Sequence, residues 1–378
     1  MSVSLFSGRA FLRKGLIIFQ FTISIVLIIS TLVIYNQMEY LKNKPLGFTK
    51  DNIITFALNN EINNKREVFS SKIKELPDVK DFAYNFDIPG KMFMKWGMDI
   101  NYEGTKTRSW FTASFSSSEY MRFLNMKIVK GRGFFEKDTN DYNSVIINES
   151  FAKNFNIKDP FKLTFAGGQK VVGVVKDFNF ASLHSEVQPL VIFNAPIYNC
   201  GLVKINASNF KDIKSLIAEL KNIWEEISPD FPFEYNFLDE SLANQYQAEE
   251  RFEKAFIGFS VIAILIACLG LFGLTAFTTE QRTKEIGIRK ILGASINNIT
   301  SMLSKQFVVL VLLANIIAFP VAYYFMNKWL QNFAYKVNLN IWTFLFVGTI
   351  SVLIAFLTIS FQAIKASIEN PINSLRSE

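Results

Sequence analysis

The stretch EQRTKEIGIRKILGAS, residues Glu280–Ser295, separates two long uncharged segments and decides the fold class of this chain. Four windows lack any charged residue and are long enough to cross a bilayer, which takes about 20 apolar residues. Backbone groups in hydrocarbon must bond to one another, so each window is predicted to be a transmembrane helix. A buried core helix is an alternative for one such window, but not for four. The windows are 15–35, 255–279, 307–327 and 338–364.

The basic residues of the chain orient these spans. Arg9, Arg13 and Lys14 precede the first window, and the loop after the second window is also basic. The positive-inside rule therefore predicts that both termini and this loop are cytoplasmic and that the chain lies in the cell inner membrane. The net charge of +7 is explained by these flanks and does not indicate nucleic-acid binding.

The spans divide the chain into successive parts. The first window is longer than a typical signal-peptide core and no Ala-x-Ala-like site follows it, so it is interpreted as a retained span. The fold class is an α-helical membrane protein with four transmembrane helices plus a large mixed α/β extracytoplasmic domain between spans one and two. The predicted parts are a cytoplasmic N-terminus 1–14, transmembrane helix 15–35, an extracytoplasmic domain with stalk helices 36–254, transmembrane helix 255–279, a cytoplasmic coupling segment 280–306, transmembrane helices 307–327 and 338–364, and a cytoplasmic tail 365–378.

Two helices are predicted to extend from the membrane into the extracytoplasmic part. Asn36–Asn43 continues the first span until Pro45 and Gly47 stop it. Apolar residues from Leu238 to Phe256 fall largely at fourfold spacing and predict a helix leading into the second span. These helices form either a projecting stalk or plain connectors.

The sequence between these two helices has a mixed α/β pattern. Its early and late elements are predicted to form one subdomain, with roughly residues 100–200 inserted as a second. Gly167-Gly168 marks a hairpin turn within the insert. The early and late elements are strand Ile53–Leu58, helix Asn64–Leu76, strand Leu202–Ile205, helix Phe210–Ile227 and strand Phe233–Phe237.

The sequence gives no signal for catalysis by this chain. It has no Gly-x-x-x-x-Gly-Lys-Ser/Thr loop, so the chain alone is not expected to bind ATP. His184 is the only histidine, and no nucleophile-elbow sequence supports a catalytic triad around it. Cys200 lies in the external region and Cys268 in the second span, so we predict neither a disulfide nor a zinc site. No catalytic residue, metal or cofactor is predicted, and substrate-binding residues stay unknown.

Helical geometry gives the charged segment two different faces. At 100° per residue, Ile288, Ile291 and Leu292 share one face, and the basic residues share the opposite face with Ile286. Gly293 is predicted to end this helix, and Ser295 to cap the next one. Two arrangements fit the periodicity. Either the helix lies on the lipid surface, or its apolar face rests on the bundle while the basic face, with Ile286, enters a cleft of a partner. The basic residues are Arg282, Arg289 and Lys290.

This segment resembles the signature of the MacB/FtsX-like permeases of ABC transporters, Glu-x-Arg-x-x-Glu-Ile-Gly-(Ile/Leu)-Arg-(Lys/Arg)-x-(Leu/Ile)-Gly-Ala. The resemblance covers the whole chain, because one span, a large external domain and three further spans are that family's topology. The closing segment Asn370–Arg376 is similar to the family's usual ending, and GVVKDFNFASLH and Leu46-Gly47-Phe48 resemble external sequences of Bacteroidota members. The matching residues are Glu280, Arg282, Glu285, Ile286, Gly287, Ile288, Arg289, Lys290, Leu292, Gly293 and Ala294.

The resemblance implies a mechanism and a set of partners. Separate cytoplasmic ABC ATPase subunits, which bind the ATP, would dock on the coupling segment and move the external domain through the first two spans. Substrates of the antibiotic, peptide or lipoprotein kind would then be exported or extracted outside the membrane. The other implied partners are the lipid bilayer and a periplasmic adaptor. The implied ATPase-coupling residues are Glu280, Arg282, Glu285, Ile286, Gly287, Arg289, Lys290, Gly293 and Ala294.

Two alternatives and one assembly question stay open at this point. The chain is alternatively an FtsX-like mechanotransmitter that regulates an external enzyme, or a membrane sensor or scaffold without an ATPase. Two ATPases closing on each other present two clefts, so a second permease unit is predicted, most simply in a twofold homodimer. The opening FLRKGLIIFQFTISI is similar to the start of the second half of longer, eight-span chains, so pairing with a different half is the other prediction.

Overall fold

The computed structural model describes residues 3–90, 94–135, 139–206 and 210–368. They belong to two compact units. The helical unit is drawn from Met1–Leu41, Ala248–Asn332 and Lys336–Glu378, and the α/β unit from Lys42–Gln247 and Phe333–Tyr335. The predicted family ending Asn370–Arg376 lies outside the described residues.

The helices of the described residues range from one turn to more than ten turns. They are α1 Val3–Asn43, α2 Asn60–Asn64, α3 Arg66–Lys74, α4 Tyr120–Phe123, α5 Glu149–Asn154, α6 Phe210–Ile227, α7 Leu238–Ala243, α8 Gln247–Gln281, α9 Thr283–Ile291, α10 Ile296–Leu330 and α11 Ile341–Ile368. Short 3-10 turns lie at Thr139–Asn143, Pro160–Lys162 and Asn244–Tyr246.

Four helical stretches are long and apolar enough to cross a membrane, and a large mixed α/β domain lies between the first and the second of them along the chain. The predicted windows fall in α1, α8, α10 and α11. As predicted, α1 continues to Asn43. The helix expected from Leu238 onward is divided by the 3-10 turn into α7 and α8. Helix α11 begins at Ile341 because the Asn340 side chain accepts a hydrogen bond from the Trp342 N–H at 3.0 Å and caps the helix there.

The spans of the helical unit pack through one face each. In α1 every fourth residue from Ile17 to Val33 is buried. Helices α10 and α11 approach closely at Gly348, where a Cβ atom would lie 2.9 Å from Phe319. The Asn315 amide donates to Ser351 Oγ at 3.1 Å in the same contact, so this buried donor has partners. The outward faces carry large exposed apolar side chains, as lipid-facing helices require.

Within the described ranges, the α/β unit is built on one sheet of eleven strands. The strands are β1 Ile53–Ala57, β2 Val79–Asn85, β3 Met94–Tyr102, β4 Thr105–Ser116, β5 Ile128–Gly131, β6 Ser144–Asn148, β7 Leu163–Phe165, β8 Lys170–Val175, β9 Leu190–Asn194, β10 Cys200–Ile205 and β11 Tyr235–Phe237.

The sheet has an open part and a closed part. Strands β11, β1, β10 and β2 form the open part in that order, and all of these pairings are antiparallel. Strands β4, β3, β7, β8, β6 and β9 form a ring, closed by the parallel pairing of β9 with β4. The ladder between the two parts is a single residue pair, Asn85 with Ser116. As predicted, the Gly167-Gly168 turn joins two paired strands, β7 and β8.

Each part of the sheet has its own hydrophobic core. Helices α3 and α6 cover the open part with a cluster centred on Phe56, Phe69 and Trp224, whose rings meet edge to face. A second cluster, which includes Phe111 and Phe165, uses residues of the ring strands. A third contains residues of both parts, among them Leu202 of β10 and Ile192 of β9. The predicted pair of subdomains therefore corresponds to two cores joined within one unit.

Candidate functional site

The charged segment that dominates the sequence lies between α8 and α10. The sequence predicted one helix over Glu280–Leu292, whereas the structure has two helical pieces. Glu280 belongs to the last turn of α8, and Arg282 is the joint, where its N–H is shared between Thr278 and Thr279 carbonyl oxygens at 3.2 and 3.1 Å. Helix α9 carries most of the remaining signature residues, and the Lys290 side chain lies outside what is described.

Ile286 packs α9 against α10. Its side chain is 5% exposed and packs in a small cluster with Leu303 of α10 and with Met302 and Ala294. Gly287 next to it is also buried. Burying an isoleucine side chain stabilises a fold by about 1.5–3 kcal/mol, which is enough to fix the rotation of a nine-residue helix about its axis.

The opposite side of α9 carries exposed apolar residues. Ile288, Ile291 and Leu292 are 52%, 64% and 80% exposed, and we call these three residues the apolar face of α9. The predicted docking arrangement, with this face on the bundle and Ile286 in a partner's cleft, was therefore wrong. Ile286 lies about 180° around the helix from the apolar face, so only one of the two sides can contact α10. The cluster with Leu303 selects the Ile286 side.

One exposed ion pair lies beside the apolar face. Arg289 Nη2 is 2.9 Å from Glu285 Oε1, one turn earlier on α9. Both side chains are largely solvent-accessible, so the pair adds only about 0.3–0.5 kcal/mol to helix stability. Arg282 Nη2 donates to Gln306 Oε1 of α10 at 3.4 Å. Among the side chains that the structure describes on α9, Arg289 and Glu285 are exposed charges close to the apolar face.

The turn from α9 into α10 is tightly capped. Gly293 has φ +87°, and the Ala294 N–H donates to the Arg289 carbonyl oxygen at 2.9 Å, which is the Schellman pattern. Ser295 Oγ then accepts from the Asn298 N–H at 3.3 Å and caps α10. Both predicted caps are confirmed. The two helices are therefore joined both by this turn and by the Ile286 cluster.

His184 and Arg132 make contacts that hold neighbouring parts of the α/β unit together. His184 stacks between Tyr246 and Phe333, at 5.8 and 4.6 Å between ring centroids, and its Nδ1 is 2.8 Å from Ser182 Oγ. Arg132, which lies between Gly131 and Gly133, forms a two-pronged ion pair with Asp141, at 2.7 and 3.0 Å. Among the residues that the structure describes, no three His, Cys, Asp or Glu side chains form a metal-type cluster.

The Arg132–Asp141 pair was not foreseen from the sequence. Burial raises the pKa of Asp141, but hydrogen bonds from Arg132, the Phe135 N–H and Ser144 outweigh it and leave the pKa below its usual value. The pair holds the loop before β6 and has no free acid or base to offer.

Comparisons with known proteins find a family match over the region that contains the charged segment. Residues 257–371 match the family described as FtsX-like permease C-terminal, and this range contains Glu280–Ala294. The uncharacterized ABC transporter permease YknZ of Bacillus subtilis (strain 168) is 26% identical over 217 residues, or 54% of each chain. The macrolide export ATP-binding/permease protein MacB of Escherichia coli is 22% identical over 218 residues, which are 54% of this chain and 33% of that protein.

The chain thus spans about half the length of the first relative and a third of the second. Among solved structures, the periplasmic region of MacB from Actinobacillus actinomycetemcomitans aligns with a TM-score of 0.38 and 14% sequence identity, over 52% of this chain and 94% of that one.

Proposed function

We propose that the chain transmits ATP-driven motion across a membrane as a MacB/FtsX-like ABC permease. The match of residues 257–371 to the FtsX-like permease C-terminal family and the similarity to YknZ and MacB support this proposal. In this proposal a separate cytoplasmic ATPase binds α9 and supplies the motion. The extracytoplasmic α/β unit receives it. The chain itself has no phosphate-binding loop and contributes no catalytic residue.

The observation that carries the proposal is the exposed apolar face of α9. Helix α9 and its end leave Ile288, Ile291 and Leu292 largely exposed beside an ion pair. An apolar centre with a charged rim is the composition of a protein docking surface. Its back is fixed by Ile286 and its end by the Schellman turn. A partner that pushes on this face therefore moves α10 as well as α9.

The route to the α/β unit is covalent. The last residues of α1 belong to the α/β unit, as does Gln247 at the start of α8, so two membrane helices run into that unit. In our proposal these helices carry the motion outward as a stalk. In the proposed orientation, both termini and α9 lie on the cytoplasmic side of the cell inner membrane, in keeping with the basic flanks.

The proposed substrates are peptides, antibiotics or lipoprotein-like molecules, exported or extracted on the outer side. The proposed partners are the ATPase, a second permease unit and a periplasmic adaptor. A twofold assembly fits the mechanism because one chain offers one α9, whereas a closing pair of ATPases needs two contacts.

Copurification tests the proposal directly. The chain is extracted from its native membrane, and the proteins that accompany it are identified by mass spectrometry and assayed for ATP hydrolysis. We expect an ABC ATPase in the complex and no hydrolysis by the rigorously purified chain. Recovery of a cell-wall enzyme together with the ATPase would favour the FtsX-like mechanotransmitter over a transporter. Robust hydrolysis by the chain alone, or the absence of any ATPase, would overturn the proposal.

A further inference from the structure

An exposed tryptophan lies on the outer face of the β3–β4 hairpin in the α/β unit. Trp110 is 67% exposed, although it sits in the middle of a regular strand. In the ladder it faces Gly97 of β3. A Cβ atom built on Gly97 would lie 3.1 Å from three neighbouring atoms of the indole, Cε2, Cζ2 and Cη2. Equal distances to three adjacent ring atoms mean that the glycine backbone lies against the face of the ring, so the indole lies flat on the sheet.

This arrangement uses one face of the indole and leaves the other open. Covering a strand glycine with an aromatic ring is a known way to stabilise a hairpin, and it explains the inner ring face. It does not explain why the outer face is left in water, since apolar area of that size costs free energy when exposed. The outer face of Trp110 therefore has the form of a flat aromatic platform.

Polar side chains surround the platform. The residue pairs on the same face of the hairpin are Lys95 with Thr112, Asp99 with Arg108, and Asn101 with Lys106. Arg108 Nη1 is 3.8 Å from Asp99 Oδ1, and Arg108 Nη2 donates to the Gly97 carbonyl oxygen at 3.4 Å. The guanidinium and the carboxylate thus lie beside the indole, and both are more than half exposed. They still have hydrogen-bonding capacity, because neither contact saturates them.

We call Lys95, Asp99, Lys106 and Arg108 around Trp110 the frame. From this geometry we infer that Trp110 and its frame bind an acidic saccharide. A pyranose ring has a C–H face that stacks on an aromatic ring, and hydroxyl groups at its edge that bond to side chains such as Arg108 and Asp99. A docked protein would need neighbouring apolar area, whereas Trp110 is the single large apolar side chain on this face of the hairpin. Lys95, Lys106 and Arg108 against Asp99 give the frame a positive charge, which selects a sugar that carries carboxylate or phosphate groups.

The test uses the full-length chain in nanodiscs without glycosidic detergent. Tetragalacturonate is titrated against it, with neutral chitotetraose and non-saccharide tetraglutamate as comparison ligands, by calorimetry or ligand-observed NMR. We expect tetragalacturonate to bind in preference to both, because chitotetraose lacks the charge and tetraglutamate lacks the stacking face. Trp110→Ala should weaken binding about tenfold, and Trp110→Tyr should retain most of it because a ring remains.

Two further variants keep the result interpretable. Arg108→Ala leaves Gly97 covered and should weaken binding of the acidic sugar without disturbing the hairpin. Phe231→Ala removes an exposed aromatic side chain elsewhere in the α/β unit and should change nothing. Equal affinity of Trp110→Ala and the unmodified chain, equal binding of tetraglutamate, or no binding of tetragalacturonate at millimolar concentration would overturn the inference.

Discussion

The apolar face of α9 leads to a quantitative prediction about the binding of the ATPase. The variant is Ile288→Ser, which removes an exposed isoleucine from the centre of that face. Isoleucine and serine have similar helix propensity, so α9 should persist. Ile288 also lies opposite the Ile286 cluster that holds the helix on α10.

The expected loss follows from the exposed fraction. Full burial of an isoleucine side chain is favourable by about 2.5 kcal/mol, and 52% of Ile288 is still available for burial by a partner. The substitution should therefore cost about 1.3 kcal/mol, which weakens the affinity for the ATPase about tenfold. Adding Leu292→Ser, at a residue that is 80% exposed, brings the loss to about 3 kcal/mol and more than a hundredfold.

The assay is binding of the copurified ATPase to the chain in nanodiscs, with ATP hydrolysis by the complex as a second measurement. Val68→Ser is the matched control, because Val68 is 53% exposed on α3 of the α/β unit. It should leave the affinity unchanged. If Ile288→Ser and the double variant bind the ATPase as tightly as the unmodified chain, the apolar face rests on lipid and the docking argument fails.

Three other predictions follow from named contacts. Arg289→Glu should uncouple ATP hydrolysis from function. The charge swap Glu285→Arg with Arg289→Glu restores the ion pair within α9 and should still be uncoupled. Full activity of the swapped variant would show that only helix stability matters. Burial raises the pKa of Asp87 to about 6. The carboxylate therefore destabilises the fold increasingly as the pH rises from about 4 through 6, and the loss is about 1 kcal/mol after allowance for its partial exposure. Asp87→Asn should then raise the melting temperature at pH 7.5 and flatten its pH dependence, whereas exposed Asp230→Asn should do neither, and equal melting curves would contradict this. Cysteines placed along Gly15–Tyr35 and Ala255–Thr279 should trap a permease–permease pair in native membranes, and a consistently monomeric permease in an active complex would rule out the twofold assembly.

The sequence was most informative where a single physical rule decides the outcome. In an uncharged window of more than twenty residues that crosses hydrocarbon, the backbone N–H and C=O groups find partners only within a helix. The four windows coincide with α1, α8, α10 and α11. Gly293 and Ser295 act as the caps that were predicted, because a left-handed residue and an N-terminal hydroxyl have few other uses at such positions.

The sequence was less informative where two arrangements satisfy the same pattern. Helical periodicity showed that Ile286 and the apolar face lie on opposite sides of α9, but it gave no reason to prefer one side for packing. That choice depends on Leu303, which comes seventeen residues after Ile286 and meets it across the turn at Gly293. The ring of six strands was hidden for a similar reason, since the pairing of β4 with β9 joins residues far apart in the chain.

The one-pair ladder between the open sheet and the strand ring has a mechanical consequence. Hydrogen-bond ladders are directional and resist sliding, whereas apolar contacts keep nearly the same energy when two surfaces slip past each other by a small distance. Asn85 and Ser116 form the ladder pair, and two backbone hydrogen bonds flank it, from the Phe86 N–H to the Phe115 carbonyl oxygen at 2.7 Å and from the Ser117 N–H to the Tyr84 carbonyl oxygen at 3.0 Å. An apolar cluster that includes Leu202 and Ile192 also contains residues of both parts. These directional bonds lie at the ends of β2 and β4, so a load that passes between the open part and the ring acts on this short stretch together with the shared apolar cluster.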